Sequence, residues 1–173
     1  MKPKAPALRR RNPRRSFSVP LLFCGSLLFT IASAFAAAPA PLADALEKKD
    51  LATARALLRD TNVNAAQSDG TTALHWAVRN DDLATATALL AAGANAKTAN
   101  RFGVTPLSLA CVNGNAALIT LLLDAGADAN APLRGGETPL MTAARTGQLD
   151  AVQALLARGV DVNAKLPTGG QTA

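Results

Sequence analysis

The chain is predicted to be an all-α solenoid, a stack of helix-turn-helix repeats joined by β-hairpin loops and preceded by a signal peptide. Three observations predict it. First, a frame of Asp69, Gly70, Thr72, Leu74, His75 and Ala77, then Leu83, Leu89, Leu90, Gly93, Ala94 and Asn95, recurs 33 residues on. It returns as Gly103, Thr105, Pro106, Leu107 and Ala110, then Leu122, Leu123, Gly126, Ala127 and Asp128. Second, the same step leads to Gly136, Thr138, Pro139, Leu140 and Ala143, then Leu155, Leu156, Gly159 and Asp161. Third, the apolar residues inside each frame fall at helical spacing. A period of this length marks supersecondary units, each able to bury its apolar face only against its neighbours.

Each full repeat follows the same local physics. Gly70, Gly103 and Gly136 permit the positive φ of a tight turn, and the threonine that follows caps a short first helix. Pro106 and Pro139 stand at the first helical position, where a missing N–H costs no hydrogen bond. A second turn is expected at Gly114 and Gly147, with Asp81 at the equivalent place, since Asp tolerates a left-handed backbone. The second helix is expected to bury Leu89 and Leu90, then Leu118, Leu121 and Leu122, then Val152, Leu155 and Leu156. Gly93, Gly126 and Gly159 end these helices. Small residues at 77, 88, 110, 143 and 154 let helices approach closely.

The first unit lacks the hairpin. Leu42, Ala45 and Leu46, then Leu51, Ala54, Leu57 and Leu58, read as two helices with Glu47, Lys48, Lys49, Arg55 and Arg59 on a charged outer face, as a terminal unit needs. At the other end Gly169, Gly170, Gln171, Thr172 and Ala173 repeat the start of a further unit, which reads as a truncation.

The turn followed by Thr72, Ala73, Leu74 and His75 resembles the Thr-Pro-Leu-His signature of ankyrin repeats, as do Thr105-Pro106-Leu107-Ser108 and Thr138-Pro139-Leu140-Met141. The Gly-Ala-Asp-x-Asn element returns at 126–130 and, with Val160, at 159–163. The organisation expected on this frame is a signal peptide at 1–36, a capping repeat at 37–66, repeats at 67–99, 100–132 and 133–166, and the start of another at 167–173. The resemblance implies protein recognition, and it implies that His75 ties adjacent units together by hydrogen bonds to loop backbone.

Charge is distributed unevenly. Of 18 Lys and Arg, seven precede residue 16, whereas no acidic residue occurs before Asp44. Beyond residue 36 there remain 11 basic side chains against 12 acidic ones, so the net charge of +6 belongs to the N-terminal peptide. That peptide has a positive n-region, an apolar run from Val19 to Ala32, and Ala34-Phe35-Ala36 as a cleavage site. The implied location is periplasmic or secreted. Arg14-Arg15-Ser16-Phe17 resembles a twin-arginine core, although Ser18 and Val19 depart from it. Cys24 follows bulky Phe23, unlike a lipobox cysteine, and an uncleaved membrane anchor is an alternative fate of the same run.

No catalytic, cofactor-binding or metal-binding residues are assigned. His75 is the single histidine, so no histidine cluster exists, and Asp81, Asp82, Asp128 and Asp161 occupy turn positions. Phosphate loops, dinucleotide fingerprints and Cys-x-x-Cys pairs are missing from the sequence. Cys111 reads as a packed thiol. With no tyrosine, one tryptophan and little basic patterning after residue 36, nucleic acid is not an expected partner, nor is a membrane after signal cleavage or a small-molecule substrate.

The remaining candidate is a protein partner on a concave face formed by hairpin tips and exposed sides of first helices. The register assigns to it Ser68, Asp69, Thr71, Arg79 and Asn80 in one repeat. The next contributes Arg101, Phe102, Val104, Val112 and Asn113, and the third Arg134, Glu137, Arg145 and Thr146. Phe102 is the most informative, because an aromatic at a hairpin tip has no core to enter and aromatics dominate interface hot spots. Trp76 is expected in the core. The leading expectation is a non-catalytic exported binding protein, and the alternative is the exported front end of a longer polypeptide with an enzymatic or sensory part beyond residue 173.

Overall fold

The computed structural model describes residues 40–173 apart from 134, 168, 169 and 171. The expected signal peptide, Arg134, and Gly169 and Gln171 of the last turn lie outside the described residues. Eight α-helices are present among them, in four pairs: α1 (Pro41–Glu47) with α2 (Leu51–Leu57), α3 (Ala73–Arg79) with α4 (Leu83–Ala91), α5 (Pro106–Asn113) with α6 (Ala116–Asp124), and α7 (Pro139–Thr146) with α8 (Leu149–Leu156). Each pair packs as a helix-turn-helix. The first helices form one row in the order α1, α3, α5, α7, and α4, α6 and α8 form a second row behind them.

Short helices of seven to nine residues do not persist alone in water, so their ends have to be held. Thr105 Oγ1 accepts the Ser108 N–H at 3.2 Å, and Thr138 Oγ1 accepts that of Met141 at 3.3 Å. Pro41, Pro106 and Pro139 begin their helices. Asp50, Asp82 and Asn115 cap the second helices through their side chains. The turn between paired helices needs a left-handed residue, and it is filled by Lys49 and Asp81 (each φ 58°), Gly114 (73°) and Gly147 (71°). Lys49 therefore shares the position that Asp81 and the two glycines hold in later units.

The core is one continuous cluster running through all four pairs. It includes Leu42 and Leu46, Leu74 and Leu89, Leu107, Leu118, Ile119 and Leu122, then Leu140 and Leu155. Cys111 is fully buried within it. Full burial of one such leucine contributes roughly 1.5 to 3 kcal/mol.

Three expectations are corrected. Of the residues that the second helices are expected to bury, Leu90, Leu121 and Val152 are half-buried and Leu156 is 46% exposed. Among the described residues no helix lies beyond α8 to cover the last of them. Ala88 is exposed, and Ala86 and Leu89 make the inward contact instead, because each residue turns a helix by about 100°. Finally, the β-hairpin loops contain no strands among the described residues. Each is a tight turn closed by two backbone bonds: Gln67 N–H to Thr71 O (2.9 Å), Asn100 to Val104 (3.0 Å) and Leu133 to Glu137 (2.8 Å), with Gly70, Gly103 and Gly136 donating back to Gln67, Asn100 and Leu133 at 2.8 Å. Only Ala66 and Thr72 form a β-bridge.

Side-chain bonds at a common register position join neighbouring pairs. Asn80 Nδ2 donates to the Leu46 carbonyl (3.0 Å) and Asn113 Nδ2 to Val78 (2.8 Å), whereas the single Thr146 hydroxyl proton is shared between Ala143 O of its own helix (3.0 Å) and, more weakly, Cys111 O (3.4 Å). Leu46 and Val78 lie at first-helix ends, and their carbonyls also accept the turn N–H groups of Lys49 and Asp81, so the asparagines add to bonds that already close these ends. The loops behind the second helices repeat the device: Asn64 accepts the Asn95 N–H at 2.8 Å, and Asn130 accepts that of Asp161 at 3.0 Å.

Candidate functional site

The face built from hairpin tips and first helices is centred on His75. Its Nδ1 lies 3.2 Å from the Thr72 backbone nitrogen, which can only donate, so Nδ1 carries the lone pair. The proton is then on Nε2, which donates to the Val104 carbonyl at 3.1 Å. Burial pushes the His75 pKa below its ordinary 6.5, outweighing the nearby Val104 carbonyl and Asp69 charge, which favour the cation. A neutral imidazole thus bridges α3 to the next hairpin and has both nitrogens engaged.

Trp76 departs from expectation. It is half-buried and borders the open face, with its indole N–H donating to Gln67 Oε1 at 2.8 Å. The amide of Gln67 is fixed in turn by Asp44 (2.8 Å) and Glu47 (2.7 Å) of α1. An indole has one polar atom to satisfy, and the core of this stack is lined by alkyl groups. Placing the ring at the edge, with its N–H toward Gln67, resolves that conflict. The neighbouring His75 and Ala77 point inward and are buried.

Between Trp76 and the next hairpin lies an open cleft of about 250 Å³, bordered by Asp69, His75, Trp76, Arg79, Phe102 and Leu109. Phe102 is 50% exposed at its tip. The Arg79 guanidinium lies 5.4 Å from the Trp76 ring centre, and that of Arg101 lies 5.0 Å from the Phe102 ring centre. Both are within cation–π range. Adjacent repeats therefore each present an aromatic ring paired with an arginine. Asp69 is less available than its position suggests, because its carboxylate accepts the Thr71 N–H and hydroxyl, each at 2.8 Å. Partial burial alone would raise its pKa. The Thr71 bonds, aided by the Arg101 charge, outweigh burial and hold it below the ordinary carboxylate value.

The other residues assigned to this face divide by what they touch. Thr71 borders the cleft but is only 7% exposed, with its hydroxyl engaged by Asp69. Asn80, Asn113 and Thr146 reach the face, but their side chains form the inter-repeat bonds described above, so their register position serves the stack. Val104 is half-buried and contributes backbone, accepting from His75 and donating its N–H to Asn100 Oδ1 at 3.0 Å. Val112 is 50% exposed, and Ser68 is also exposed. Glu137 and Arg145 form an ion pair at 3.1 Å on the surface. The cleft brings together Asp69, Thr71, Arg79, Phe102 and Val104 of the expected set and adds His75, Trp76, Asn100 and Leu109.

Cys111 has no role on this face. It is buried, and the apolar surroundings push its thiol up to about 12. Among the described residues no group of three or more His, Cys, Asp or Glu side chains is arranged to hold a metal ion.

The family model described as Ankyrin repeats (3 copies) matches residues 80–165. That segment is an array of ankyrin repeats. The match begins in the turn between α3 and α4, so Arg101, Phe102 and Leu109 lie inside it and Trp76 and Arg79 just before it. Ankyrin repeats are protein-interaction modules, which implies a protein partner in general terms. No curated protein matches the chain. In this ankyrin array the repeating positions account for the core and the ties, whereas the Phe102–Arg101 pair answers to neither; Trp76, just before the array, packs half-buried against the core and turns its edge to the cleft.

Proposed function

We propose that the chain is an exported, non-catalytic ankyrin-repeat protein that captures another protein on the concave face formed by its hairpin tips and first helices. The observation carrying this reading is the cleft between Trp76 and Phe102. Phe102 is left half exposed at a hairpin tip, and the half-buried Trp76 turns its outer edge to the same cleft from the preceding repeat. Exposed aromatics beside arginine are the side chains that most often dominate a protein interface. Apart from Val112 the remainder of the face is mostly polar, and its backbone is held by internal bonds, so a partner meets a pre-ordered surface. Export is supported by the basic n-region, the apolar run and the Ala34-Phe35-Ala36 site.

The test is capture from periplasmic extract with the purified chain as bait, alongside the Phe102→Ala variant. Phe102→Ala should change the unfolding free energy by no more than about 0.5 kcal/mol, as expected of an exposed side chain, while reducing capture of a discrete partner. Equal loss of folding and capture would place Phe102 in the structural framework and defeat the reading. Mass spectrometry of the mature N-terminus should find Ala37.

A further inference from the structure

We propose that the Trp76–Phe102 cleft takes an extended peptide segment in which an apolar side chain is immediately flanked by a carboxylate. The apolar group would enter against Leu109 and the two rings, and the carboxylate would be held by Arg79 with help from Arg101. This rests on the protein-capture reading and specifies the chemistry of the partner.

Three observations lead to it. The rings are already paired with the chain's own guanidiniums, at 5.4 Å and 5.0 Å. A ligand cation would compete with those groups and face their repulsion, so the aromatic pair is not a cage for a positively charged side chain. A guanidinium stacked on a ring still directs N–H donors outward in its own plane, where a carboxylate can meet two of them. Among the described residues, neither Arg79 nor Arg101 is in a salt bridge, whereas Arg145 and Arg158 are paired with Glu137 and Asp124. Asp69, an ionised carboxylate on the same cleft with one Thr71 bond on each oxygen, offsets part of the Arg101 charge. Arg79 is thus the principal anion-binding group. The floor is apolar where Leu109 and the ring edges lie, and a carboxylate alone would leave it unfilled. An extended peptide satisfies both requirements, with neighbouring side chains reaching different points of an open cleft.

The experiment pans random phage-displayed peptides on the full chain. Selected peptides are then titrated by fluorescence anisotropy against the wild type and Arg79→Ala, Arg101→Ala, Phe102→Ala and Arg145→Ala, each checked for unchanged urea unfolding. Enriched sequences should place Asp or Glu beside an aliphatic or aromatic residue. Changing that acid to its amide should weaken binding about tenfold on the wild type, as for a charge-assisted hydrogen bond, and little on Arg79→Ala. Phe102→Ala should weaken every selected peptide, and Arg145→Ala should not. Enrichment of basic or neutral peptides, no enrichment, or equal binding by Phe102→Ala overturns the inference. So does tighter binding of an oligothymidylate than of any peptide. Peptides sensitive to Arg145→Ala but not to Phe102→Ala would sink the cleft and leave the concave face standing. Capture from extract that no substitution on that face reduces would sink both.

Discussion

His75 Nε2 donates to the carbonyl of Val104 at 3.1 Å, so a side chain of α3 fixes the hairpin of the following repeat. Because the folded state holds the imidazole neutral with its pKa below 6.5, the unfolded chain takes up this proton first as pH falls. The resulting stability is complete above pH 6.5 and is lost progressively below it, down through the folded-state pKa. Asp69 and Asp82 have pKa values lowered from 3.8, so their contributions fade only below that value. Since the sequence contains one histidine, urea midpoints should slope downward just below pH 6.5 in the wild type. His75→Gln should flatten that slope and lower the plateau by about 1 to 3 kcal/mol, the cost of disrupting buried hydrogen bonds.

Asn113 separates a residue that looks like interface from one that holds the stack. Its Nδ2 donates to the Val78 carbonyl at 2.8 Å across the α3–α5 contact. Asn113→Ala should destabilise by about 0.5 to 1.5 kcal/mol in urea titration, with Asn80→Ala behaving similarly through the lost bond to Leu46. Partner or peptide capture, measured on the folded fraction, should be unchanged by either. A loss of capture without loss of stability would return these side chains to the binding surface.

Much of this division was legible in the sequence, for identifiable reasons. The helix pairs, the threonine caps at Thr105 and Thr138 and the left-handed turns at Asp81, Gly114 and Gly147 follow from local rules that the frame repeats, and the structure has them in place, whereas the Thr72 hydroxyl goes to His75 Nδ1 instead. Phe102 was legible because a hairpin tip has no interior. Trp76 was not, because helical periodicity gives a direction and not a depth. The missed signal was Gln67, nine residues earlier, whose amide is the polar partner that lets the indole sit at the edge. The inter-repeat bonds of Asn80, Asn113 and Thr146 were not legible for a related reason. Their position faces outward, and only the three-dimensional stack shows a neighbouring carbonyl within reach.

Leu122 and Leu156 test how far burial depends on having neighbours on both sides. Leu122 is fully buried in α6, between α4 and α8, whereas Leu156 ends α8 with 46% exposure. Leu122→Ala removes buried methyls and leaves a cavity, and should cost about 2 to 5 kcal/mol. Leu156→Ala removes partly solvated methyls and should cost about 1 kcal/mol or less, by scaling the burial contribution to the smaller area removed from water. Chemical denaturation of both variants decides the point, and equal losses would show that another surface covers Leu156 in solution.

Gly70 and Gly93 have nearly the same backbone, at φ 85° and 88°, but different surroundings. A Cβ on Gly93 would meet nothing within 4 Å, whereas one on Gly70 would stand 3.2 Å from Asn100 Cα and 3.4 Å from the Arg101 nitrogen. That backbone cannot withdraw freely, because the Arg101 N–H donates to the Asp69 carbonyl at 2.8 Å. Gly93→Ala should therefore cost only the left-handed strain, about 1 to 2 kcal/mol. Gly70→Ala should cost this and more, because either the hairpin contact opens or the chain distorts around it. The difference between the two unfolding free energies measures the contact alone, since the φ penalty is shared. If the two variants unfold at the same urea concentration, the Asp69–Arg101 backbone bond does not hold adjacent hairpins together.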